Sequence, residues 1–172
     1  MGRWLRPDAE VDSIYAIDPA ALRARGIRGV ILDLDNTMVP WGAWDVPAAL
    51  GPWIAAARAV DLRLCIVSNN AGARVAHLAA ALELPAVTGA WKPRRGALRR
   101  ALSMMGTAPD ATALVGDQVF TDVLGGNRLG LHTILVHPQS GREFPLTRLT
   151  RLAERVVGGL RRLKLHGGRP RA

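Results

Sequence analysis

The eleven residues from Gly29 to Val39, GVILDLDNTMV, constrain this chain more than any other stretch. Val30, Ile31 and Leu32 form an uninterrupted apolar run, and Asp33, Leu34, Asp35, Asn36 and Thr37 follow at once. An apolar run without alternation is the pattern of a strand covered on both faces, as in a parallel sheet packed between helices. Two carboxylates at the mouth of such a strand have two readings. Asp and Asn are ordinary turn residues at strand ends. Alternatively, Asp33 and Asp35 hold a hard cation and act on an anionic substrate, which requires further carboxylates and cations to converge on them.

The rest of the chain repeats the strand-then-helix rhythm. Residues 1–17 read as an irregular arm, and Asp18 and Pro19 as the N-cap and first residue of a short helix that Gly26 ends. After the first strand, residues 39–47 (VPWGAWDVP) form a loop or flap in which Trp41 and Trp44 either pack in the core or flap, the reading preferred, or line the entrance. Residues 47–60 are helical, with Gly51 and Pro52 weakening the first turns. Residues 62–67 form a second strand ending in Ser68, Asn69 and Asn70; a helix over 71–82 and a short third strand over 85–88 follow. Residues 94–105 predict a helix with Arg94, Arg95, Arg99 and Arg100 on its outer face. A fourth strand, 111–115, runs into Gly116 and Asp117; a helical turn carries Asp122, and 131–136 is a fifth strand. The alternation predicts an α/β fold, a Rossmann-like three-layer sandwich with a central parallel sheet of about five strands.

Composition enters where it limits function. With 172 residues, 49% of them hydrophobic and 22% charged, the chain suits one packed domain, placed at residues 1–141. Residues 1–10 lack an apolar signal core and no apolar run reaches the roughly 18 residues of a membrane span, so the expectation is a cytoplasmic protein without a transmembrane segment. Cys65, the single cysteine, excludes an internal disulfide and reads as a core residue; the four histidines share no spacing and carry no assigned function. The net charge of +9 is uneven, because residues 142–172 hold nine Lys and Arg against Glu143 and Glu154. In that segment Leu149, Leu152, Val156, Leu160 and Leu163 recur at helical spacing opposite the arginines, with Gly158 and Gly159 interrupting. It is read as a basic amphipathic helix and tail, which either packs on the sheet or meets an anionic membrane surface, peripheral at the inner membrane face.

In an open parallel sheet, ligands bind outside the carboxyl ends of the strands, where strand order reverses. Each such end here is polar: Asp33 and Asp35, Ser68 and Asn69, Lys92, and Asp117 with Asp122. That convergence favours a site over a set of turns. Its inventory, carboxylates for a cation with a lysine and a hydroxyl for phosphate oxygens, is that of magnesium-dependent phosphoryl transfer.

These residues also resemble a known family. DLDNT at 33–37, SNN at 68–70, Lys92-Pro93 and GDQVFTD at 116–122 are similar, in order, to the four motifs of the haloacid dehalogenase (HAD) superfamily. The RPD and SIYAID phrases of the arm, VPW after the first motif and GDQVFTDVLGGNRLG resemble the YqeG-like branch of subclass IIIA phosphatases, up to about Pro138. The resemblance implies that Asp33 is a nucleophile forming an aspartyl phosphate and Asp35 the acid and base. It implies Mg2+ held by Asp33, Asp35 through its carbonyl, and Asp117, with Asp122 in support. Ser68, Asn69 and Lys92 would bind phosphate, and Thr37 would shape that loop. A carboxylate at neutral pH would need placement more than a base to attack.

The spacing between motifs leaves no room for a cap domain: a flap and one helix separate Asp35 from Ser68, and one helix and a short strand separate Ser68 from Lys92. An open site suits a phosphate displayed on something large. A more distant resemblance to mitochondrial phosphatidylglycerophosphatases makes a lipid-linked phosphate the candidate substrate. The alternative is a basic nucleic-acid or ribosome-associated binding protein with a secondary phosphatase site; the near-neutral body and the lack of aromatics among the basic residues count against it.

Overall fold

The computed structural model describes residues 3–139, and the basic segment read as a C-terminal helix and tail lies outside the described residues. Six parallel strands form one sheet in the order β1-β6-β5-β2-β3-β4. They are β1 (Ala9–Val11), β2 (Gly29–Leu32), β3 (Arg63–Val67), β4 (Ala86–Val87), β5 (Thr112–Gly116) and β6 (His132–Val136). The helices are α1 (Pro19–Ala24), α2 (Leu50–Ala59), α3 (Ala73–Ala81), α4 (Arg95–Met105) and α5 (Leu124–Asn127). β2 pairs with β3 on one side and β5 on the other. The chain therefore winds outward through β3 and β4, then crosses back over β2 to continue through β5 and β6. That reversal places the end of β2 at the switch point of the sheet.

The apolar run of β2 divides between the two faces, as strand geometry requires. Val30 and Leu32 join a core with Leu22, Ile54, Leu78, Leu64 and Val115. Ile31 joins the opposite core with Cys65, Leu98, Leu102 and Leu114. Helices α1 to α3 thus cover one face and α4 the other. Cys65 is buried, as expected of a small core residue. α1 is capped as read: the Asp18 carboxylate accepts from the Ala20 amide at 2.9 Å, and Gly26 ends the helix at a φ of +88°.

Three boundaries differ from the sequence reading. The arm is not wholly irregular, because β1 adds a sixth strand at the edge. Asp8 fixes it to β6: its carboxylate accepts from the Thr133 amide at 2.8 Å, and its amide donates to the Thr133 carbonyl at 2.9 Å. Three residues of a half-exposed edge carry too little pattern to reveal a strand. The second helix starts at Leu50 rather than 47, with Gly51 and Pro52 in its first turn, where Pro removes an amide that has no intrahelical partner anyway. The first strand, read from the sequence as ending at Asp35, ends at Leu32, although the Asp33 amide continues the ladder to the Val115 carbonyl at 2.9 Å.

Among the described residues no helix is long and apolar enough to cross a membrane. No cap domain is inserted among them either: a flap and α2 separate Asp35 from β3, and α3 and β4 separate Ser68 from Lys92.

Candidate active site

The loop after β2 turns sharply because Asn36 adopts a φ of +62°, a conformation that Asn tolerates better than most residues. Its amide donates to the Val39 carbonyl at 2.7 Å, and its side-chain oxygen accepts from the Trp41 amide at 3.2 Å. This turn holds Asp33 and Asp35 at the carboxyl edge of the sheet, both buried.

Asp33, Asp117 and Asp122 converge, with one carboxylate oxygen from each lying within 4.8 Å of the others. Lys92 closes the group. Its ammonium lies 2.5 Å from an Asp33 oxygen and 2.6 Å from an Asp122 oxygen, and donates to the Val67 carbonyl at 3.0 Å. Its backbone amide donates to the Asn69 side-chain oxygen at 2.7 Å. Asp122 does not cap a helix. It sits on a π-helical turn, Val119–Val123, and its Oδ2 accepts from the Gln118 amide at 3.2 Å and the Thr121 hydroxyl at 3.3 Å. Gly116 makes room for it: a Cβ there would fall on the Asp122 carboxyl group, 2.6 Å from the Asp122 Cβ.

Burial pushes the Asp33 carboxyl up to about 7; Lys92 opposes this, while the charges of Asp122 and Asp35 add to it. Asp33 is therefore not simply an ionised carboxylate waiting in place, as the sequence suggested. It needs more positive charge than Lys92 supplies. Lys92 itself is held protonated: burial favours its neutral form, and the charges of Asp122 and Asp33 outweigh that. When all three carboxylates are ionised, they exceed the one ammonium by two negative charges. The donor set is entirely hard oxygen, without His or Cys. Charge and chemistry both fit a divalent hard cation.

Asp35 belongs to a second cluster, and sequence reasoning missed its partners. Arg74 Nη2 donates to both Asp35 oxygens, at 2.6 and 2.7 Å, and Asn70 Nδ2 donates to one of them at 2.8 Å. Arg74 Nη1 also donates to the Ala43 carbonyl at 3.0 Å, fixing the flap. The signal was available: Asn70 completes the SNN run, and Arg74 lies in the first turn of the helix that leaves it. Ser68 is buried, with its hydroxyl accepting from the Asn70 amide at 3.1 Å, and Thr37 is buried under the loop, its carbonyl accepting from Gln139 Nε2 at 2.6 Å. Two tryptophans on segments next to the site are exposed. Trp91, next to Lys92, is 73% exposed, and Trp44 on the flap is 53% exposed, so neither is simple packing.

The comparison that decides the family is with a curated relative. The chain is 37% identical over 161 residues, 93% of its own length and 94% of the relative's, to the probable phosphatase YqeG of Bacillus subtilis (strain 168). The chain belongs to the YqeG-like family of HAD-type phosphatases. Residues 90–163 match the HAD-hydrolase-like family and residues 2–84 the mitochondrial PGP phosphatase family. Phosphatidylglycerophosphate phosphatase 1, chloroplastic, from Chlamydomonas reinhardtii is 31% identical over 86% of this chain and 59% of that protein. The crystal structure of 3-deoxy-D-manno-octulosonate 8-phosphate phosphatase from Yersinia pestis shares the fold. It has a TM-score of 0.54 at 18% identity and covers 74% of this chain and 83% of its own. The protein is thus a phosphoric monoester hydrolase whose buried Asp cluster could hold a metal.

Proposed function

We propose that this phosphatase hydrolyses a phosphomonoester through an aspartyl phosphate on Asp33, with Mg2+ as the metal and phosphatidylglycerophosphate as the substrate. The observation that carries the chemistry is the buried group of Asp33, Lys92, Asp117 and Asp122 at the switch point of the sheet. An Asp33 carboxylate oxygen attacks phosphorus, and the bond to the leaving alkoxide breaks as Asp35 gives that oxygen a proton. Asp35, now a carboxylate, takes a proton from water; the water oxygen attacks phosphorus and releases phosphate, restoring Asp33. Lys92 neutralises the charge that gathers on the phosphoryl oxygens. Ser68 and the Asn69 amide offer donors at the adjoining strand end, and Thr37 shapes the loop. Asp33, Asp117 and the Asp35 carbonyl would hold Mg2+, with Asp122 in support. When bound, the cation supplies charge neutralisation that keeps Asp33 ionised. Arg74 and Asn70 hold the Asp35 carboxyl at a fixed angle.

The lipid substrate is supported by the match of residues 2–84 to a PGP phosphatase family and by the uncapped mouth flanked by Trp91 and Trp44. Tryptophan favours the membrane interface, and a phosphate carried there needs no enclosing pocket. In this reading residues 142–172 rest on anionic lipid at the cytoplasmic face of the inner membrane.

The test is magnesium-dependent phosphate release from phosphatidylglycerophosphate in vesicles, beside nucleotide, sugar and phosphoprotein esters, with Asp33→Asn as control. Release from vesicles alone or preferentially is the expected result. Turnover of soluble esters with none from vesicles sinks the lipid substrate, and equality with Asp33→Asn on every substrate sinks the catalytic assignment.

A further inference from the structure

The opposite end of the sheet holds a cavity of about 720 Å3 whose charged lining is Arg23, Arg28, Arg58, Asp61 and Arg63. These residues arrive from separate elements: Arg23 near the end of α1, Arg28 just before β2, Arg58 and Asp61 at the end of α2, and Arg63 opening β3. Gly106, Thr107 and Ala108, after α4, close the far wall. The lining itself carries four guanidiniums and one carboxylate, a net charge of +3, and the Glu83 carboxylate lies outside it, 3.8 Å from Arg58 Nη1.

Three of the arginines are held in place by backbone carbonyls. Arg23 Nε donates to Val60 at 3.0 Å, Arg58 Nη2 to Glu83 at 2.7 Å, and Arg63 Nη1 to Met105 at 2.5 Å and Gly106 at 3.3 Å. A guanidinium carries five donors in a rigid fork that matches phosphate oxygens, and being fixed in advance lowers the ordering cost of binding. Like charges held together repel one another, which a bound anion would relieve. The volume falls within the range of about 300–1,000 Å3 usual for small-molecule sites, more than a lone phosphate fills. A terminal phosphate carries about −1.5 to −2 near pH 7, and a second phosphate in the chain adds about one more, which matches the lining.

We infer that this cavity binds a small diphosphate-class anion, free or carried on a nucleoside. It is separate from the catalytic site. Arg28 precedes β2 and Asp33 follows it, so a whole strand at about 3.3 Å per residue lies between them, as it does between Arg63 and Ser68. An anion here would tie together the roots of β2 and β3 and the ends of α1, α2 and α4.

The experiment is titration of the full-length, EDTA-treated protein with pyrophosphate and with ADP, followed by amide NMR and by calorimetry. The amides of Arg28, Gly106, Thr107 and Ala108 shift saturably, while those of Asp33 and Gly116 stay in place. Arg28→Gln combined with Arg63→Gln weakens binding at least about tenfold, or 1.4 kcal/mol. Arg28→Gln alone weakens it measurably, and serves if the double variant does not fold. Shifts confined to the Asp33 and Lys92 end, or no saturation up to about 5 mM, overturn the inference. So does a bilayer source: vesicles containing phosphatidylglycerol perturbing these amides while free diphosphates do not.

Discussion

The two ends of the sheet handle charge in opposite ways. At the carboxyl end, three carboxylates and a lysine are buried almost completely; burial raises the Asp33 pKa against the charge of Lys92, and the charges of Asp122 and Asp33 keep Lys92 protonated. At the amino end, four arginines ring an open cavity, and three of them are tied to backbone carbonyls. The same kind of interaction should therefore be worth several kcal/mol at one end and a fraction of that at the other, because water screens the second and not the first. Burial also explains direction: the carboxyl end has a charge deficit that a cation corrects, and the amino end an excess that an anion corrects.

The largest effect tests whether the buried end is the reacting one. Asp33→Asn should lower kcat by at least about a thousandfold, since an amide cannot form the proposed aspartyl phosphate. Phosphate release under saturating substrate measures it, and activity within tenfold of wild type would break the assignment. Lys92→Ala comes next. It strands Asp33 and Asp122 without their cation, and a broken buried pair costs about 3–5 kcal/mol, so the metal-free variant should unfold at clearly lower denaturant. A loss below 1 kcal/mol would mean that water reaches this end after all.

The pH response sharpens the same contrast. Asp33 has a folded pKa of about 7 against an ordinary value of 3.8, so the fold favours its protonated form. The unfolded chain releases that proton first as pH rises. Stability linked to Asp33 is thus greatest below pH 4 and is lost between about pH 4 and 7, on the order of a few kcal/mol. In EDTA, wild type should lose melting temperature over this window relative to Asp33→Asn, which has no such proton to lose. Added Mg2+ should restore more at pH 8 than at pH 5, where protons compete with it. A wild-type curve parallel to that of Asp33→Asn would remove the burial effect from the account.

The sheet and the first cluster were legible in the sequence for physical reasons that the second cluster lacks. Val30 to Leu32, Leu64 to Val67 and Ala113 to Val115 are apolar without interruption because helices cover both faces, and that pattern survives in one dimension. Asp33 and Asp117 close such runs, and Lys92 and Asp122 come a few residues beyond the ends of β4 and β5, so order along the chain predicted a common rim. β1 was hidden because an edge strand of three residues needs only one covered face. Arg74 was missed although it stands in the first turn after the SNN run, because its role depends on the direction in which that helix leaves. The arginine cavity was hidden most completely: its arginines are spread from position 23 to 63, its other walls reach position 111, and no two of the arginines share a motif.

Arg74 links the buried end to solvent, and its substitution should fall between the extremes. Arg74→Ala removes the donor that spans both Asp35 oxygens and the tie to Ala43 in the flap. A misplaced acid and base costs about a hundredfold, so kcat should fall by roughly 10- to 100-fold with KM changed less. Arg74→Lys should recover only part of this, because an ammonium cannot hold the carboxylate and the Ala43 carbonyl in the same planar fork. A KM effect with unchanged kcat would instead make Arg74 a substrate-binding residue.

The smallest effect belongs to the exposed end and completes the contrast. Arg58 and Glu83 approach to 3.8 Å, with side chains 46% and 82% exposed. An exposed pair of this kind contributes about 0–1 kcal/mol, and at 3.8 Å it gains little from hydrogen bonding. Glu83→Gln should therefore shift the denaturation midpoint by almost nothing, and 0.5 M salt should erase what shift there is. Arg58→Gln should cost slightly more, because Arg58 also donates to the Glu83 and Leu82 carbonyls at 2.7 and 3.4 Å, bonds that salt does not screen in the same way. If Glu83→Gln instead proved as costly as Lys92→Ala, exposure would not be what separates the two ends, and the assignment of the amino end as an anion-binding surface held by its backbone bonds would lose its physical basis.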